Sequence, residues 1–202
     1  MTIAELAHIV RSAAQVTGES DFIVVGSQAI LGTCPDLVDP VLTRSAELDL
    51  YPLHEPELAD DITGSLGELS PFHEMYGYYA DGVGPETSVL PPGWEGRLVK
   101  VQREAMISPS GIRAVAYCLD PHDLLVAKYV AGRHKDIEFC EAAIRKRLVD
   151  RGQLEQALRS VNIQAPNLDV ALASVQRAFQ DLAEARFEGP NEPKPPNTLK
   201  LP

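Results

Sequence analysis

The stretch from Phe22 to Tyr51 constrains this chain more than any other. It opens with Phe22-Ile23-Val24-Val25, a short apolar and mostly β-branched run that stops at Gly26-Ser27. An apolar segment, Gln28-Ala29-Ile30-Leu31, follows. That order predicts a strand, a tight turn and a helix. After a loop over 34–43, the chain reads Arg44-Ser45-Ala46-Glu47-Leu48-Asp49-Leu50-Tyr51. Glu47 and Asp49 alternate with Leu48 and Leu50, so a strand here turns its acids to one face and its leucines to a core. Strand rise places the two acidic Cα atoms about 7 Å apart.

Two neighbouring carboxylates repel, and a shared cation is the usual resolution. Mg²⁺ suits a few carboxylate oxygens completed by water and substrate phosphates. Gly26 permits close backbone approach, and free N–H groups at the start of a helix favour an anion. The combination suits phosphoryl or nucleotidyl transfer, which depends mainly on positioning and charge stabilisation.

The pattern resembles the nucleotidyltransferase superfamily: a strand, Gly-Ser, a helix, then an acid-x-acid pair on the next strand. Within it, the small bacterial AbiEii-like, toxin–antitoxin-type branch is the most similar, because Arg44 and Ser45 precede the acidic pair. Downstream, Lys128 … Arg133-His134-Lys135-Asp136 resembles the Lys … Arg-x-Lys-Asp segment of that branch. The resemblance covers roughly 22–139 and implies catalysis by Glu47, Asp49 and Lys128, with Glu47 and Asp49 holding Mg²⁺. It also implies nucleotide binding by Gly26, Ser27, Arg44, Ser45, Arg133 and Asp136. Glu47 stands where that family has Asp. Superfamily members often add a third carboxylate on a later strand; Asp81, Glu86 and Glu104 all remain candidates.

Around this centre the chain reads as α/β (α+β): a small mixed sheet flanked by helices, with a helical C-terminal part. Helices are expected over 3–16, capped by Thr2 and Glu5, over 55–66, and from Leu124, capped by Asp120 and Pro121. A hairpin is expected from strands over 97–103 and 112–118 around the Ser108–Gly111 turn. The expected division is a nucleotidyltransferase-like domain over 1–136, helices over 137–188, and an extended or disordered tail over 189–202. Residues 71–83 hold three of the six tyrosines. They suit either packing under a loop or stacking on a base. Lys128 lies in an apolar helix, where its stem either snorkels to water or delivers the ammonium to the cleft. In the second case Glu47 and Asp49 are its expected partners before nucleotide binds.

Acids outnumber bases 29 to 18, which argues against broad binding to nucleic-acid backbone. Cys34, Cys118 and Cys140 lack metal-ligand spacing and read as structural thiols of a reducing cytosol. Neither a signal peptide nor a membrane span is visible, so the expected location is cytoplasmic. The implied function is transfer of a nucleoside monophosphate from an NTP to a hydroxyl of tRNA, a protein or a small molecule. The alternative is a catalytically impaired nucleotide-binding or protein-interaction module. An antitoxin or a homodimer mate are the partners considered.

Overall fold

The computed structural model describes residues 1–187; the tail expected over 189–202 lies outside them. Helix α1 (Ile3–Thr17) forms because its apolar side recurs at helical spacing and Thr2 caps it. Thr2 Oγ1 accepts from the Glu5 N–H at 3.3 Å, and Glu5 Oε2 accepts from the Thr2 N–H at 2.6 Å. Both orphan donors are thereby satisfied. The helix ends at Gly18, whose φ of 81° is left-handed, a conformation that costs glycine little.

The sheet has five strands in the order β3-β2-β1-β5-β4. They are β1 (Asp21–Val24), β2 (Glu47–Pro52), β3 (Tyr79–Gly82), β4 (Val99–Val101) and β5 (Val115–Cys118). β1 runs antiparallel to β2 and parallel to β5. β2 and β3 are parallel, and β4 is antiparallel to β5. The sheet is mixed, as expected. The expected hairpin exists with shorter strands: Arg97 belongs to a tight 3₁₀ turn, and another such turn, Glu104–Met106, interrupts the connection. β3 has little signal in the sequence, because its four residues offer a single buried apolar position, Ala80.

The helices are α2 (Ile30–Thr33), α3 (Ala59–Leu66), α4 (Pro71–Tyr76), α5 (Pro121–Ala131), α6 (His134–Arg145), α7 (Arg151–Ser160) and α8 (Ala165–Phe187). None of the described helices is long and apolar enough to cross a membrane. Buried apolar side chains form one cluster running from Leu6 on α1 to Ala178 on α8. Leu48 and Leu50 are fully buried in it, each worth about 1.5–3 kcal/mol by area removed from water. That burial fixes the register of β2, since a one-residue slip would send both leucines to the other face. It therefore also fixes the side to which Glu47 and Asp49 point.

Candidate active site

A cleft of about 440 Å³ opens where β2 and β3 face the start of the post-β1 turn and helices α5 and α6. Glu47, Asp49 and Asp81 line it. Each offers a carboxylate oxygen within 4.8 Å of the others. The parallel β2–β3 pairing explains this: Asp49 lies directly opposite Asp81, and Glu47 opposite Tyr79. Asp81 therefore joins the pair, whereas Glu86 and Glu104 do not belong to the cluster. The Tyr79 hydroxyl donates to Glu47 Oε2 at 3.4 Å.

The cluster is electrically frustrated. Desolvation, then the Glu47 carboxyl, then the Asp81 charge push Asp49 up to about 7, while Lys128 opposes them weakly. Burial and Glu47 likewise raise Asp81. Three carboxylates this close ionise together only when a cation shares them, and an all-oxygen carboxylate set suits a hard divalent ion such as Mg²⁺.

Gly26 has a role that the sequence did not reveal. Its φ is 23°, and a Cβ there would overlap the Asp49 carboxylate. The glycine thus lets the acid lie against the turn. The Val25 N–H donates to the Asp49 carbonyl at 3.0 Å and locks turn to strand.

On the opposite wall stands a chain of polar groups. Lys128 Nζ donates to Ser27 Oγ at 2.9 Å and to Asp136 Oδ1 at 3.1 Å. It also lies 4.5 Å from the centroid of the Phe139 ring, within cation–π range. Arg133 Nε and Nη2 donate to Asp136 at 2.5 and 3.4 Å. Lys128 and Asp136 are buried, but the Arg133 side chain is 63% exposed at the cleft edge. Burial alone would raise Asp136; the Arg133 hydrogen bond and the charges of Lys128 and Arg133 overcome it and hold the carboxyl below its usual range. Arg133 can turn inward because α5 stops at Gly132, φ 64°.

Several expectations need adjusting. Lys128 lines the cleft, but its direct partners are Ser27 and Asp136 rather than Glu47 and Asp49. The reason is distance along the fold: α5 runs beside the turn, and the αL stop at Gly132 folds Asp136 back beneath the ammonium. Asp136 is covered by its two cations. Ser45 lines the cleft, yet its hydroxyl accepts from the Glu47 N–H at 3.1 Å and donates to the Glu47 carbonyl at 3.4 Å, shaping the start of β2. Arg44 sits on the rim, 3.5 Å from Glu138. Tyr76 and Tyr78 pack with His8 and Phe72 against α1. Neither lines the cleft, so the packing reading applies. Cys118 and Cys140 are buried free thiols, and Cys34 is half-buried and free.

Phe139, Thr87 and Ser88 also line the cleft, with no motif in the sequence to mark them. The one signal for Asp81 is that Ala80 separates it from Tyr79 as Leu48 separates Asp49 from Glu47, with the intervening residue buried in both strands.

No curated protein and no solved structure matches the chain. Residues 4–184 match a family described as nucleotidyltransferase of unknown function. That match spans nearly all the described residues, including every residue of the cleft, and so the chain belongs to the nucleotidyltransferase family DUF6036.

Proposed function

We propose that the protein transfers a nucleoside monophosphate from an NTP to a hydroxyl of an acceptor, with a divalent cation, Mg²⁺ by donor chemistry, held by Glu47, Asp49 and Asp81. The observation that carries this reading is the meeting of three carboxylates with Lys128 and Ser27 in one cleft. When bound, the cation supplies charge neutralisation for the phosphates and acidifies a coordinated hydroxyl.

The chain's own residues do the rest. Backbone at Gly26 and Ser27 approaches the phosphates. Lys128, a compact charge on a long stem, donates to a phosphate oxygen in place of Ser27. Arg133 offers a second donor set from the edge, and Asp136 keeps both cations aimed. The cleft carboxylates draw the acceptor hydroxyl proton. Residues 1–136 carry this chemistry, and the following helices brace α5 with Phe139 behind Lys128. The paired segments around Arg44 and Arg133 favour the AbiEii-like branch, since both reach the cleft.

The test is incubation with each NTP labelled at its α-phosphate, with Mg²⁺ and a cell extract, for wild type and Asp49→Asn. We expect a labelled product that the variant fails to make while melting like a folded protein. An amide keeps the carboxylate's shape without its anionic oxygen. Undiminished labelling by the variant would make the acidic set structural. NTP binding with no labelled product in any extract would favour the second reading, a nucleotide-binding module, which the Glu at position 47 motivates.

A further inference from the structure

The sheet ends in two edges, β3 and β4, and they are finished differently. Tyr79 and Val83 donate their N–H groups to carbonyls of the β2 side, so Gly82 between them turns its backbone outward. There the Thr63 hydroxyl accepts from the Gly82 N–H at 2.8 Å and donates to the Gly82 carbonyl at 3.3 Å. Helix α3 thus covers that edge. At the other edge, Val115 donates to the Ser20 carbonyl and Leu119 to the Val24 carbonyl. Ala116 and Cys118 therefore face β4, and their partners Val101 and Val99 face back. The N–H and C=O of Lys100 point away from the sheet, and among the described residues no backbone group outside β5 bonds to them.

This open edge is also cationic. The segment from Arg97 to Leu119, which holds β4 and β5, carries Arg97, Lys100, Arg103 and Arg113 against a single acid, Glu104, in a chain of net charge −11. Its ion pairs are Arg97–Asp123 at 2.9 Å and Arg113–Glu104 at 3.8 Å. Lys100 and Arg103, both exposed, are left without one among the described residues. Just past β4, Gln102, Arg103, Glu104, Ile107, Arg113 and Ala114 line a pocket of about 390 Å³. Two guanidinium groups share it with one carboxylate, and a guanidinium binds a carboxylate through two parallel hydrogen bonds.

A sheet edge is completed by another strand, whose main chain supplies affinity and whose alternate side chains supply specificity. Acidic side chains opposite Lys100 are favoured. A second copy of this chain paired about a two-fold axis at β4 would set Lys100 against Lys100, and like charges there oppose pairing. A nucleic acid brings acceptors for the Lys100 N–H but no regular donors for the carbonyls, and meets an acidic chain. We propose that β4 is the docking edge for an extended acidic segment of a partner protein, which adds as a further strand and seats a carboxylate between Arg103 and Arg113. β4 does not line the cleft, so the proposal stands apart from the reaction assigned there.

The experiment adds a soluble blocked peptide of about eight residues, alternating valine and glutamate, to the full chain. Its counterparts carry lysine in place of glutamate, or glutamate with every amide N-methylated. We expect the glutamate peptide to bind about tenfold tighter or more than the lysine peptide at low salt, with the gap closing as salt rises. N-methylation should cost a similar factor. Amide exchange at Lys100 should be fast in the free chain and slow on binding. Lys100→Thr/Arg103→Thr should weaken the glutamate peptide severalfold without lowering Tm. Lys100→Pro removes the outward N–H but no bond to β5 and should abolish binding. Equal affinity for the charged pair or for the N-methylated peptide overturns the proposal. So does unchanged exchange at Lys100, or no saturable binding up to about 1 mM. Protection of Lys100 by self-association without peptide, or tighter binding of an RNA duplex at the same two cations, overturns the class of partner.

Discussion

Replacing Lys128 with Met separates its charge from its volume. The wild-type ammonium has two direct oxygen partners, Ser27 Oγ and Asp136 Oδ1, and a side-chain exposure of 9%. If it donates to a phosphate oxygen, the lost charge-assisted hydrogen bond contributes about 1.5–3 kcal/mol. That corresponds to roughly 10- to 150-fold weaker NTP binding. The stability cost works differently. Removing one partner of a buried ion pair costs about 3–5 kcal/mol when the other charge is stranded. Here Asp136 keeps two hydrogen bonds from Arg133, so about 1–2 kcal/mol is the expected loss, or a fall of about 2–8 °C in Tm. The acid side of the stability profile should also move. Asp136 is held below its ordinary pKa, so its contribution is present above the unfolded pKa and lost as pH falls through the folded value. Without Lys128 that loss begins at higher pH. The assay is calorimetric NTP affinity in Mg²⁺ beside a melt taken across acid pH. Unchanged affinity with a lowered Tm would make Lys128 a structural residue and would remove the phosphate role from the proposed site.

Asp49 has the opposite linkage. Its folded pKa is raised to about 7, so its contribution is fully present below the unfolded value near 3.9 and is lost as pH rises toward about 7. Metal-free protein should melt progressively lower across that window, and saturating Mg²⁺ should flatten the slope; melts with and without chelator check this. Gly26→Ala places a methyl group into the Asp49 carboxylate at a positive φ. We expect a loss of roughly 1–3 kcal/mol from backbone strain and about tenfold or weaker Mn²⁺ binding, read by electron paramagnetic resonance. Tyr79→Phe removes the donor to Glu47 but keeps the ring that packs 4.7 Å from His73. Mn²⁺ affinity should fall about two- to tenfold with little change in melting, and identical titrations would show that the 3.4 Å contact does not orient Glu47.

What could be read from the sequence followed period and local order. The acid-leucine alternation of β2 is legible because the two faces of that strand meet such different surroundings: Leu48 and Leu50 are fully buried, while Glu47 and Asp49 are half-buried in the cleft. The Asp120–Pro121 cap and the Gly132 stop bracket α5 for equally local reasons. Asp81 was only one candidate among three. Its strand is four residues long and contains Gly82, and only pairing across to β2 brings it beside Glu47 and Asp49. The partner of Lys128 was hidden in the same way. An apolar helix implies a buried ammonium, but which carboxylate meets it depends on the turn after Gly132 and on the packing of α6 against α5.

Glu47 stands where the superfamily pattern this chain resembles has the first Asp of Asp-x-Asp, and the register gives the longer side chain a geometric reason. Asp49 and Asp81 face each other directly across β2 and β3, so two short side chains meet above one point. Glu47 starts two residues earlier on β2, about 7 Å away along the strand. An Asp there would have to lean back along the strand to reach the same point, whereas an added methylene extends the reach by about 1.5 Å. In the structure that longer arm brings its oxygen within 4.8 Å of both others. Length has a cost, because each extra rotatable bond must be held in place, and Tyr79 stands opposite Glu47 with its hydroxyl on Oε2. The glutamate and the tyrosine therefore act as one unit, and Glu47→Asp should lose both the reach and the contact, so that Tyr79→Phe added to it changes metal affinity no further.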